Sequence, residues 1–246
     1  MGACPSGTKP CVIRLVRLDD CGRPVCGPKS VVVTKGFINI SAAKDYEEGE
    51  EFTQKNACGE LCISEKDCDV LKRINLTIGF CVIDHEGISI MTSSRLLVNE
   101  AGEAIGYTSG DTQCSAGWSL EVWQKESNPT CLPGGGPSEP EWLYWAYPYL
   151  TNGKTGDVTL ENGPYTFEVT ANTKEIAAED QWGLDNRGPY EVLPTTAGLI
   201  IGEHSAEAVR TNVQPPEAQC GAFELECALA LTCPADQPGW STGVAV

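Results

Sequence analysis

Apolar and polar residues alternate most regularly between Lys72 and Val82. Lys72, Ile74, Leu76, Ile78, Phe80 and Val82 fall on one side, and Arg73, Asn75, Thr77 and Gly79 on the other. A period of two is that of a strand with one face buried. The pattern stops at Ile83-Asp84-His85-Glu86-Gly87-Ile88. There Asp84 is placed to cap a helix and Ile83 to pack on Ile88 as a hydrophobic staple. One short helix is predicted, to about Ser94, although Gly87 within it costs about 1 kcal/mol relative to alanine.

Other segments read as strands by the same logic. Residues 11–18 (CVIRLVRL) form the first, followed by a turn-rich DDCGRPVCGPKS, and strand character resumes over 30–40. Trp118, Leu120 and Val122 alternate with Ser119 and Glu121. Residues 127–140, SNPTCLPGGGPSEP, break regular structure and read as a loop within one domain. Residues 142–150 are apolar or aromatic on both alternating faces, so Trp142, Tyr144, Trp145 and Tyr147 are expected in the core or against a neighbouring subunit. TTAGLIIGEH and AEAVRTNV supply two more candidates. The alternating run Phe223, Leu225, Cys227, Leu229 and Leu231 supplies an edge strand or an arm to a partner.

DVTLE and YTFEVT alternate around Glu161-Asn162-Gly163-Pro164, the pattern of a hairpin. Pro164 has no N–H to close a two-residue Asn-Gly turn, which favours a four-residue loop. Either loop pairs Leu160 with Tyr165, Thr159 with Thr166, Val158 with Phe167 and Asp157 with Glu168. Opposed carboxylates are tolerated only on a well-solvated face. An acidic, wet surface is therefore expected on Asp157, Thr159, Thr166 and Glu168.

Residues 41–60, SAAKDYEEGEEFTQKNACGE, show little periodicity and read as a long projecting loop. Structureless loops of this length are uncommon in compact domains, which favours a contact role. The residues concerned are Lys44, Asp45, Tyr46, Glu47, Glu48, Glu50, Glu51 and Phe52.

Composition sharpens the picture. The chain has 246 residues with 26 glycines and 16 prolines, in keeping with a mainly β domain. A net charge of −17 argues against tight binding of a nucleic-acid backbone, which needs clustered lysine and arginine. No stretch is long and apolar enough to span a bilayer, and the opening MGACPSGTKP lacks the features of a signal peptide. Thirteen cysteines cannot all pair within one chain. The spacings of Cys4, Cys11, Cys21 and Cys26, and of Cys58, Cys62 and Cys68, give no paired zinc knuckles. Small buried thiols are the expectation for a chain without a signal peptide, with disulfides left open.

Catalytic patterns are missing from the sequence. His85 and His204 lie in no metal or catalytic motif, and there is no G-x-S-x-G elbow or phosphate-cradling loop. Six tryptophans, seven tyrosines and many carboxylates leave a carbohydrate-binding sandwich as an alternative, but no two carboxylates are paired for glycoside chemistry. No enzyme activity, metal or cofactor is expected.

Three stretches carry a family likeness: VRLDDCGRPVCGPKSVVVTKGFINI, LKRINLTIGFCVID with its helix, and GDVTLENGPYTFEVTANTK followed by QWGLDNRGPYEV. In this order and spacing the chain resembles the major tail proteins, or tail tube proteins, of long-tailed phages (siphophages) infecting actinobacteria. The resemblance covers residues 11–192. It implies a tail-tube-type β-sandwich or barrel with one short α-helix and long loops, over residues 1–213. Residues 214–246 are then a C-terminal extension. The implied protein is a structural virion subunit whose hexameric rings stack into a tube. Its partners would be further copies of itself and the tape-measure, tail terminator and distal tail proteins. Double-stranded DNA would pass through the lumen without specific binding, no membrane would be involved, and assembly would take place in the host cytoplasm. Under this likeness the Asp157/Thr159/Thr166/Glu168 face lines the lumen and the 44–55 loop joins successive rings. A capsid decoration or other virion subunit is the alternative within the same class. Cysteine content and the stretch after Gln214 depart from the family pattern.

Overall fold

The computed structural model describes residues 7–19, 22, 24–82, 84–108, 117–126, 142–157, 166–174, 207–211 and 213–225. The architecture is mainly β with one helix among the described residues. The strands are β1 (Gly7–Leu18), β2 (Gly27–Thr34), β3 (Phe37–Glu47), β4 (Glu51–Lys55), β5 (Leu61–Lys66), β6 (Val70–Phe80), β7 (Leu96–Val98) and β8 (Ala104–Tyr107). They continue with β9 (Gly117–Glu126), β10 (Trp142–Thr155), β11 (Phe167–Thr173), β12 (Glu207–Thr211) and β13 (Phe223–Leu225). The helix α1 spans His85–Thr92.

Nine strands form one sheet in the order β13-β2-β1-β9-β10-β11-β6-β3, with β12 also paired to β10, and every pairing is antiparallel. Two hairpins, β4-β5 and β7-β8, stand apart from it. The order is open at both ends, so the barrel alternative is not met among the described residues.

The chain passes from β2 to β3 through Gly36. Residues 30–40 were expected as one strand, but the chain breaks between Thr34 and Phe37. The Gly36 carbonyl accepts from Cys81 N–H at 2.9 Å and Val82 N–H at 3.0 Å, and a side chain at Gly36 would collide with the Val82 carbonyl. β2 and β3 stand near opposite ends of the strand order yet are joined by two residues, which a sheet allows only by curling back on itself.

One face of the sheet buries Ile13, Leu15, Leu76, Ile78, Trp118 and Leu120 with Ile88, Ile90 and Met91 of α1. Phe80 and Phe167, cross-strand partners, stack at 5.3 Å. The β6 alternation is observed as read, except that the strand ends at Phe80 and Val82 lies exposed. Asp84 caps α1, accepting from Glu86 N–H at 3.0 Å. The helix ends where Ser93 takes up the left-handed conformation, φ 57°, close to the predicted limit. The staple residue Ile83 lies outside the described residues.

On the opposite face, Val12, Val16, Val31 and Val33 are covered by Ala218, Phe223 and Leu225. The described part of the stretch after Gln214 thus ends in an edge strand, β13 on β2, in the same molecule. Nearby, buried Glu86 receives Lys29 Nζ at 3.0 Å and the N–H of Ala222. Arg17 points into the same region, where burial lowers its pKa and Glu86 opposes the shift.

Trp142, Tyr144 and Tyr147 are buried, and partly buried Trp145 donates from Nε1 to Gln124 at 3.3 Å. Beside them a buried polar cluster ties three strands together. Arg14 Nε and Nη2 donate to the two carboxylate oxygens of Glu121, and the Tyr144 hydroxyl donates to Glu121 Oε1 at 2.6 Å. Glu121 is fully buried, so its charge is held by these donors rather than by water.

Candidate assembly surface

The outward residues of β6 sit at the centre of a polar surface. Strand register places them in rows: Asn39, Gly79 and Glu168; Ser41, Thr77 and Thr170; Ala43, Asn75 and Asn172. Lys154 extends the middle row through its pairing with Thr170, and Asp45 bonds Arg73 at 2.9 Å below the last. Small uncharged side chains dominate the rows, because the apolar half of each strand is turned into the core. Thr166 and Glu168 lie exposed on this side, and Asp157 is exposed beyond the end of β10.

The expected pairing of Asp157 with Glu168 is not observed. Thr155 faces Val169, and Gly156 N–H donates to the Glu168 carbonyl at 2.8 Å, so Gly156 stands opposite Glu168. A bulge between Thr151 and Lys154, with Asn152 at φ 55°, shifts the frame of β10 upstream of this point. The other expected pairs, which involve Val158, Thr159, Leu160 and Tyr165, lie outside the described residues, as do the 127–140 loop and TTAGLIIGEH. The surface is solvent-exposed, and Lys154 adds a positive charge to it beside Asp157 and Glu168, the carboxylates expected there.

The acid is concentrated elsewhere, on a projecting arm. Between Asp45 and Asp69 the chain carries nine carboxylates and two lysines. The long loop expected over 41–60 is in fact ordered: β3 continues through Glu47, a short link leads to β4, and β4 pairs with β5 before the chain returns as β6. Thus Lys44, Asp45, Tyr46 and Glu47 belong to β3, Glu48 and Glu50 to the link, and Glu51 and Phe52 to β4. At the base of the hairpin, Asp69 accepts from Gly49 N–H at 3.1 Å and lies 3.4 Å from Lys66, both of which lower its pKa, the backbone bond most. Asp67 N–H donates to Glu50 at 3.0 Å, closing the ring of contacts.

Register sets Phe52 opposite Glu65 and Ile63 opposite Gln54, so Phe52 and Ile63 share one face, whereas the irregularity between Gln54 and Lys55 sets Leu61 opposite Lys55. Phe52, Leu61 and Ile63 are 55 %, 58 % and 47 % exposed, an unusual concentration of bare apolar surface on an acidic element. The tip is stiff: Asn56 Oδ1 accepts from the N–H groups of Cys58 and Glu60 at 3.0 and 2.8 Å, and Asn56 Nδ2 donates to the Glu60 carboxylate. Gly59, at φ 85°, completes the turn. The β7-β8 hairpin repeats this turn residue for residue, with Asn99, Ala101, Gly102 and Glu103 in the equivalent places.

Cysteine placement also departs from expectation. Among the described residues Cys58, Cys62, Cys68, Cys81 and Cys220 are exposed free thiols, whereas small buried thiols were expected. Cys26 is disulfide-bonded.

No protein-family model matches the chain, and neither does any curated protein. No helix among the described residues is long and apolar enough to cross a membrane.

Proposed function

We propose that this protein is a self-assembling structural subunit of a phage tail tube, built as a β-sandwich whose rings stack head to tail around a conduit for DNA. One observation carries the reading: β3 ends the sheet with one backbone edge unpaired among the described residues, and runs directly into an arm bearing Phe52, Leu61 and Ile63. An open edge strand is a template for another chain, and bare apolar surface on a projection needs a partner to cover it. Contact between unlike surfaces of successive copies does not close on itself and so builds a filament.

The polar rows on β3, β6 and β11 fit the lumen in this reading. Threonine, serine and asparagine solvate DNA without the clustered cations that would hold its phosphates. Six copies carry on the order of a hundred negative charges per ring, a field that repels DNA wherever part of it faces the lumen. The arm reaches the next ring, and the tape-measure, terminator and distal tail proteins meet the ends of the tube.

Sedimentation velocity of the purified full-length chain over a wide concentration range tests the proposal. Concentration-dependent conversion to species of six copies and more is expected. A monomer at every concentration would count against it.

A further inference from the structure

The strands of the large sheet have two ends, and a bare apolar hairpin is attached at each. The arm leaves where β3 ends and β6 begins, with Glu47 opposite Val70. β6 finishes at the other end, roughly 33 Å away at about 3.3 Å per residue, and the chain there enters α1 and then β7-β8. The antiparallel pairings from β6 across to β2 put the start of β2 at this second end as well. Lys29 of β2 holds the hairpin there, donating from Nζ to the Gly102 carbonyl in its tip at 3.0 Å.

Leu97, Val98 and Ile105 of β7-β8 are as bare as the apolar residues of the arm, at 47 %, 52 % and 61 % exposed, and Val82 just past β6 is exposed beside the same end. Like β4-β5, this hairpin is a two-stranded sheet, an element that water alone supports poorly. Charge distinguishes the two ends. The arm carries nine carboxylates and two lysines between Asp45 and Asp69, and Glu65 stands opposite Phe52. At the other end Lys35 and Arg95 are exposed and make no ion pair among the described residues. The hairpin's own carboxylates, Glu100 and Glu103, sit at its tip, whereas Arg95 lies at its foot, its carbonyl accepting from Thr108 N–H at 2.9 Å.

We propose that β7-β8 is the docking site for the arm of a second copy, whose Phe52, Leu61 and Ile63 cover Leu97, Val98 and Ile105 while its carboxylates meet Arg95 and Lys35. This rests on the reading of the arm as an assembly contact. Each copy then offers an arm at one end and a docking site at the other, so the contact repeats without closing.

The test uses two full-length variants, one with Phe52, Leu61 and Ile63 replaced by serine and one with Leu97, Val98 and Ile105 replaced by serine, read by light scattering and sedimentation velocity. The hairpin variant should raise the critical concentration for assembly about a hundredfold, with urea unfolding of its monomer unchanged. Arg95→Glu, which leaves every apolar contact in place, should raise it severalfold. Neither triple variant alone should form filaments. Mixed, they should join one to the other and grow no further, because one lacks the arm and the other lacks its docking site. A hairpin variant that assembles at the wild-type concentration, or a mixture that does not associate although both monomers unfold as wild type, overturns the docking site while leaving the arm reading intact. Wild type that never leaves the monomer overturns both.

Discussion

Replacing Phe52, Leu61 and Ile63 together by serine removes the exposed large apolar side chains of the arm and leaves the body of the protein untouched. These side chains are about half exposed, and β4 and β5 pair only with each other. Fully burying such a side chain is worth about 1.5–3 kcal/mol, so covering the bare half of each contributes roughly 1 kcal/mol, about 3 kcal/mol for one arm contact. At 1.4 kcal/mol per factor of ten, the triple variant should raise the critical concentration for assembly about a hundredfold. Light scattering against protein concentration reads this directly. Urea unfolding of the monomer, followed by tryptophan fluorescence, should shift by less than about 0.5 kcal/mol, as for ordinary surface changes. An unchanged critical concentration would refute the role of these side chains. A monomer weakened by several kcal/mol would show that the side chains pack within the chain.

Other expectations address the core and the polar face. Glu121→Ala removes the carboxylate that Arg14 and Tyr144 both bond, and should cost about 3–5 kcal/mol of monomer stability in urea, whereas breaking the exposed Asp45–Arg73 pair with Asp45→Asn should cost less than about 1 kcal/mol. Burial raises the Tyr147 phenol above its ordinary value of 10.0. The unfolded chain therefore releases this proton first, and the contribution, complete below pH 10.0, is lost as pH rises toward the folded value; Tyr147→Phe should flatten that alkaline decline. Neutralising the polar face with Asp157→Asn and Glu168→Gln should leave the critical concentration unchanged, and a loss of assembly would mean that the face is packed against another surface.

Much of the body is legible because burial writes a period of two into the strands. Ile74, Leu76, Ile78 and Phe80 show this, and Asp84 announces the helix that follows. The arm is illegible for the same reason: neither face of β4-β5 is buried, so the sequence has no apolar period to show. Its signal was the turn, since NACGE at 56–60 and NEAGE at 99–103 share asparagine, glycine and glutamate at the spacing that both hairpins use. Ser119 and Glu121 were readable as the polar partners of Trp118 and Leu120, but not as buried, because Arg14, the cross-strand partner of Glu121, comes from a strand over a hundred residues away. The one-residue slip that sets Gly156, not Asp157, opposite Glu168 lies on the loop side of the Thr151/Lys154 bulge, where the expected pairing depended on a loop length at 161–164 that the residue types alone do not fix.

The most direct measurement is electron microscopy of the full-length chain in negative stain above its critical concentration. The account predicts rings or tubes with a stain-filled central channel and a regular axial repeat. Solid aggregates, or particles the size of one chain at every concentration, would contradict it.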